Sequence, residues 1–109
     1  MSSLPSDYIA LGLRPDQGVN LLEGELLAEK ASSLGHHGRL VEAAMARLRE
    51  HDANGGSGEE RLALVKRAAR EVWAFFVQRE LCGFRDQKDV IMHYGIPPEV
   101  IARLGAVER

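Results

Sequence analysis

Val72-Trp73-Ala74-Phe75-Phe76-Val77 decides the fold, because these six residues hold the only tryptophan and two of the three phenylalanines in a chain of 109 residues. Val, Trp and Phe favour strands, so a short buried strand is one reading of the run. Its surroundings fit a helix better. From Glu59 to Leu81 there is no Gly or Pro, and Leu62, Val65, Ala69, Val72 and Phe76 recur at spacings of three or four. On a helix, a continuous apolar run covers more than one face, so neighbours have to pack on several sides of it. The core expected here is Val72, Trp73, Phe75, Phe76 and Val77. Burying one such large side chain contributes about 1.5–3 kcal/mol.

The preceding chain supplies the first neighbour. Asp52-Ala53-Asn54-Gly55-Gly56-Ser57-Gly58 is the clearest turn, and Ser57 with Glu60 reads as a capping box that starts the Trp73 helix. Upstream, the helical pattern runs from about Gln17 to Asp52, with Asp16, after Pro15, as its N-cap. Its weak point is Ser33-Leu34-Gly35-His36-His37-Gly38, where two glycines would end many helices. Leu22, Leu26, Ser33, His37, Leu40, Ala44 and Leu48 nevertheless stay on one stripe across the glycines if Glu29 or Lys30 fills the gap after Leu26. That phase favours one continuous helix over a break. Two helices running antiparallel from the turn oppose residues whose numbers sum to about 111, by equal rise per residue. The register sets Trp73 near Gly38 and Phe76 near Gly35, bulk against missing side chains.

After Cys82-Gly83 ends the second helix, Asp86 can cap a third through Tyr94, with Asp89 at the capping-box position and Gly95 as terminator. Pro97 and Pro98 open a fourth, with Val100, Ile101 and Leu104 apolar and Gly105 closing it. Residues 1–15 read as an N-terminal arm carrying Tyr8, Ile9, Leu11 and Leu13, and residues 16–109 as a single helical domain. The expected fold is all-α: a long antiparallel helical hairpin followed by two short C-terminal helices. Those short helices lie next in the chain to cover the Trp73 region and the part of the first helix that extends past the hairpin, but they carry too few large apolar residues to cover both surfaces.

Leu21-Leu22-Glu23-Gly24-Glu25-Leu26-Leu27-Ala28-Glu29-Lys30, Arg70-Glu71-Val72-Trp73 and Tyr94-Gly95-Ile96-Pro97 together resemble a family of small bacterial helical proteins of unknown function. The resemblance spans most of the chain. It implies a compact bacterial helical protein and no assigned activity.

Composition narrows the function. Apolar residues make up 45% and charged residues 28%, as in an ordinary globular protein, and the formal charge of −2 leaves no basic footprint for nucleic acid or an anionic membrane. No apolar run approaches the roughly 20 residues of a membrane span, and Met1-Ser2-Ser3-Leu4-Pro5 lacks the features of a signal peptide. A cytoplasmic protein is expected, and the single Cys82 suits that reducing compartment.

Chemistry-bearing residues are sparse. His36 and His37 are adjacent, so on a helix they point about 100° apart and cannot chelate one ion together. Asp89 and His93 have the spacing of an oriented general base, yet no nucleophile accompanies them and a surface ion pair is the plainer reading. Cys82 has Arg79 and Arg85 near it in sequence, but it sits at a helix C-terminus beside the apolar cluster, where an inert thiol is expected. No catalytic residue, metal site or cofactor is expected.

Two functional classes remain. The favoured one is a non-enzymatic protein–protein interaction module that forms a homodimer. The first helix outruns the second, and its overhang, Val19, Leu22, Leu26 and Leu27, is the expected interface. Lys66, Arg67 and Arg70 make a basic face and Glu23, Glu25 and Glu29 an acidic one, and the hairpin register keeps them apart within a chain. If the two faces meet, they meet between chains. The alternative is a small DNA-binding regulator using residues 87–104, which loosely resemble a helix-turn-helix. Ile91, Pro97-Pro98-Glu99 and the lone Arg103 on the would-be recognition helix weigh against it, so no nucleic acid is expected as partner.

Overall fold

Residues 21–106 are described by the structure, a computed structural model, as four helices in succession: α1 (Leu21–Ala53), α2 (Gly58–Leu81), α3 (Lys88–Tyr94) and α4 (Pro98–Ile101). The described residues contain no strand. The arm, the Asp16 cap and Val19 lie outside them.

α1 passes through Gly35 and Gly38 without a break. Only Gly38 has a packing reason. A Cβ there would lie 2.8 Å from the Tyr94 hydroxyl and 3.7 Å from Phe75 Cζ, so the missing side chain lets α2 and α3 close on α1. Phe75 and Tyr94 meet edge-on over that spot, their ring centres 5.7 Å apart. Gly35 is exposed, and a Cβ on it would meet only the Arg39 side chain.

α1 and α2 pair along the expected register. Gln78 Nε2 donates to Ser33 Oγ at 2.9 Å, and His51 Nε2 lies 3.4 Å from Glu60 Oε2, both pairs summing to 111. The rotation of α2 about its axis differs from expectation. Val72, Phe75 and Phe76 are buried and Val77 is partly buried, but Trp73 is 50% exposed. Trp73 follows Val72 by about 100° around the helix, and Val72 marks the centre of the buried face. So Phe75, not Trp73, fills the space over Gly38, and nothing of Phe76 comes near Gly35.

The core runs through Val41, Ala44, Met45 and Leu48 of α1 and Val65, Ala68, Ala69, Val72, Phe75 and Phe76 of α2, closed by Val90, Ile96 and Val100. α2 ends at Leu81, and Gly83 just beyond its C-cap has a φ of 93° that lets Gly83 N–H reach Glu80 O and Phe84 N–H reach Arg79 O. Arg79 fastens the next turn, donating from Nε to Gln87 Oε1 at 2.7 Å beneath the rings of Phe75 and Phe84. Asp86 Oδ1 accepts the Lys88 N–H at 3.0 Å, but the N-cap of α3 is Gln87, one residue later than expected, because the first helical bond runs from Ile91 N–H to Gln87 O. At the other turn, Ser57 occupies the N-cap of α2 without a side-chain cap bond. The capping box is open there, because Glu60 turns to His51.

α3 does not reach the overhang. It lies beside Gly38, Glu42 and Arg49 through Tyr94 and its neighbours, leaving Leu22 and Leu26 exposed. α4 is one turn long, shorter than the 98–104 expected, and packs on α2 with Val100 fully buried.

Candidate functional site

The hairpin has two broad faces, and α3 and α4 occupy only one. On the other, a groove of about 500 Å³ runs along the α1–α2 seam near the turn. Ala44, Ala63 and Leu64 form its apolar floor, and Arg47, Arg67 and Arg70 stand around it. The spacing explains the grouping: Arg67 and Arg70 are one turn apart on α2, and the register brings them opposite the Val41–Ala44 turn of α1, with Arg47 one turn further on, opposite Leu64. Arg67 also makes an exposed pair with Glu71, Nε to Oε1 at 3.1 Å, of the weak i,i+4 kind.

His51 closes the turn end of the groove. Its ring is wedged under the loop, where a Cβ on Gly56 would collide with Nδ1 and with the His51 carbonyl oxygen, so that position has room only for glycine. Nε2 faces Glu60, whereas Nδ1 is buried without a hydrogen-bond partner. Beyond His51 lies an ion clasp. Arg61 donates from Nε to Asp52 Oδ1 at 2.7 Å and from Nη1 to Glu99 Oε2 at 2.8 Å, tying α1, α2 and α4 together. The guanidinium holds the carboxyls of Glu99 and Asp52 below the usual carboxylate range, chiefly through these hydrogen bonds.

The residues expected from sequence to form an interface lie on an exposed strip of α1. Leu22 is 75% and Leu26 52% exposed, Leu27 is partly buried, and Val19 lies outside the described residues. Glu25 and Glu29 are exposed beside them. Of the apolar cluster, Trp73 is the member at the surface, its ring 3.5 Å from where a Cβ on Gly105 would stand, with Arg70 and Arg103 alongside.

The chemistry-bearing residues stay scattered. The His36 and His37 rings meet edge-on with centres 5.7 Å apart, and His37 Nδ1 is buried without a partner. His93 packs against Tyr94, and Cys82 is the partly buried C-cap of α2. Among the described residues no group of three or more His, Cys, Asp or Glu could hold a metal ion, and no helix is long and apolar enough to cross a membrane. Nor does the segment 87–104 supply a recognition helix. α4 has four residues, about 6 Å of helix, and Glu99 within it is engaged by Arg61.

The groove and the clasp were missed from sequence for different reasons. Asp52 and Arg61 are nearly opposite in the hairpin register, a signal that was there to use. Glu99 and the open seam depend on where α4 docks, which no local pattern encodes. No curated protein and no solved structure matches the chain. Its whole length is nonetheless placed: residues 2–109 match a family of unknown function, DUF6665, and the chain belongs to that family.

Proposed function

We propose that the chain is a non-enzymatic helical interaction module that acts in the cytoplasm as a homodimer, with the N-terminal end of α1 as the pairing surface. The observation that carries this reading is the exposure of Leu22 and Leu26 one turn apart on one side of a helix. Leucine pairs held in water on a rigid helix favour association, since each buried large side chain contributes about 1.5–3 kcal/mol. Two-fold pairing is the commonest arrangement for a single chain type. The scattered placement of Cys82, His93 and the two adjacent histidines supports binding rather than catalysis, because among the described residues none of these histidines is paired with the Cys82 thiol.

Sedimentation equilibrium over a range of concentrations tests the reading. The mass is expected to approach twice the 12.0 kDa of the chain, and Leu26→Glu is expected to return it to one chain. A strict monomer at high micromolar concentration would sink the proposal.

A further inference from the structure

We infer that the arginine-rimmed groove is the receptor for the acidic N-terminal segment of α1 from a second copy of this chain, so that two antiparallel hairpins exchange the same contact twice. The inference rests on the homodimer reading and names the second half of its interface.

Three observations converge on it. First, the two surfaces are complementary in charge and shape. The N-terminal segment presents Leu22 and Leu26 with Glu25 and Glu29, all exposed, and the groove presents an apolar floor between Arg47 and Arg67, with Glu60, turned to His51, the one acid in its lining. Glu25, Glu29 and Arg47 have no ion-pair partner among the described residues. The Arg67–Glu71 pair is exposed and readily exchanged.

Second, both surfaces lie on the same side of α1. At about 100° per residue, Leu22, Leu26, Glu29, His36, Leu40 and Arg47 fall within a sector of about 80°. The helix is unbroken between them, so the sector holds its direction through Gly35 and Gly38. α3 packs on the opposite flank of α1, beside Glu42 and Arg49, and leaves this side open.

Third, the stripe is antisymmetric along its length. Acid sits toward its N-terminal end and base toward its C-terminal end, about 27 Å apart from Glu29 to Arg47 at 1.5 Å per residue. Laying two such stripes antiparallel sets Glu29 of each copy beside Arg47 of the other, with the two-fold axis between His36 and Leu40. Leu26 then falls within a turn of the partner's groove floor. Pairing overhang with overhang would instead bring like charges together, which costs association. An isologous contact needs one surface to be self-complementary, and this stripe meets that condition.

Charge reversal on the full chain tests the geometry. Glu29→Arg and Arg47→Glu are each expected to raise the dimer dissociation constant about tenfold or more, because each homodimer carries two repulsive contacts. An equimolar mixture of the two variants is expected to restore dimerisation, since in the mixed pair one contact is reversed in sign and the other is native. Wild-type dimers are expected to weaken as salt rises from about 0.05 to 0.5 M, as exposed charges are screened. Far-UV circular dichroism checks that both variants remain helical. If the charge variants dimerise like wild type while Leu26→Glu does not, the groove is not the receptor and only the homodimer reading stands. Two folded variants that weaken dimerisation separately and fail to rescue each other also overturn the inference. A wild-type chain that stays monomeric removes the homodimer reading itself.

Discussion

Between Val41 and Leu48, α1 buries Val41, Ala44, Met45 and Leu48 against α2, whereas between Leu22 and Glu29 the same helix leaves two leucines in water. The sequences of the two halves look alike, with apolar residues three and four apart among charges. What separates them is length. α2 has 24 residues against 33 in α1, so pairing from the turn runs out before the N-terminal end, and α3 folds back toward Gly38 rather than beyond it. An amphipathic helix of uniform pattern therefore has a half that the core of its own chain buries and a half whose Leu22 and Leu26 stay exposed.

The largest expected effect comes from truncating one apolar residue in each half. Met45 is 1% exposed, and Met45→Ala is expected to cost about 2–5 kcal/mol in urea melts. Leu26→Ala in dilute, monomeric protein is expected to stay within about 0.5 kcal/mol of wild type. Comparable losses at both sites would erase the distinction.

The two glycines sharpen the comparison at the boundary between the halves. Gly38→Leu would drive a side chain into Tyr94 and Phe75 and is expected to destabilise by about 1–3 kcal/mol. Gly35→Ala meets only the flexible Arg39 side chain and is expected to stabilise by up to about 1 kcal/mol. A destabilised Gly35→Ala chain would mean that the packed region reaches further toward the N-terminus than Gly38.

A smaller effect marks the turn end of the packed half. Asp52 and Glu99 ionise more readily when held by Arg61 in the folded chain than when the chain is unfolded. Their contribution is therefore present above the ordinary carboxylate range, about pH 4–4.5, and is lost as pH falls through and below it. Both groups are exposed, so salt should reduce the effect. Urea midpoints between about pH 2 and 6 are expected to fall more steeply for wild type than for Arg61→Met. Parallel curves would show that the clasp adds nothing.

Much of this architecture is legible from local rules. The glycine turn, the helix stops at Gly83 and Gly95 and the pairing of Ser33 with Gln78 follow from turn chemistry and equal helical rise. The exposure of Trp73 does not. Hydrophobicity predicts that a tryptophan prefers cover, but a helix has one centre to its buried face, and Val72 and Phe76 occupy it. Ser57 shows the same limit at short range: its motif permits a capping box, and a histidine from the other side of the turn takes Glu60 instead. The exposed leucines were readable as an overhang because only helix lengths were needed. The groove was not, because its walls come from two helices and its openness from where two others dock.

Amide hydrogen exchange measured at low and high protein concentration tests the contrast between the two halves of α1 most directly. Amides of residues 41–48 are expected to exchange slowly and equally at both concentrations, held by the chain's own core. Those of residues 22–30 are expected to exchange fast when dilute and to gain protection as concentration rises into the high micromolar range. Protection of residues 22–30 that matches residues 41–48 and ignores concentration, or that stays absent throughout, would contradict the account.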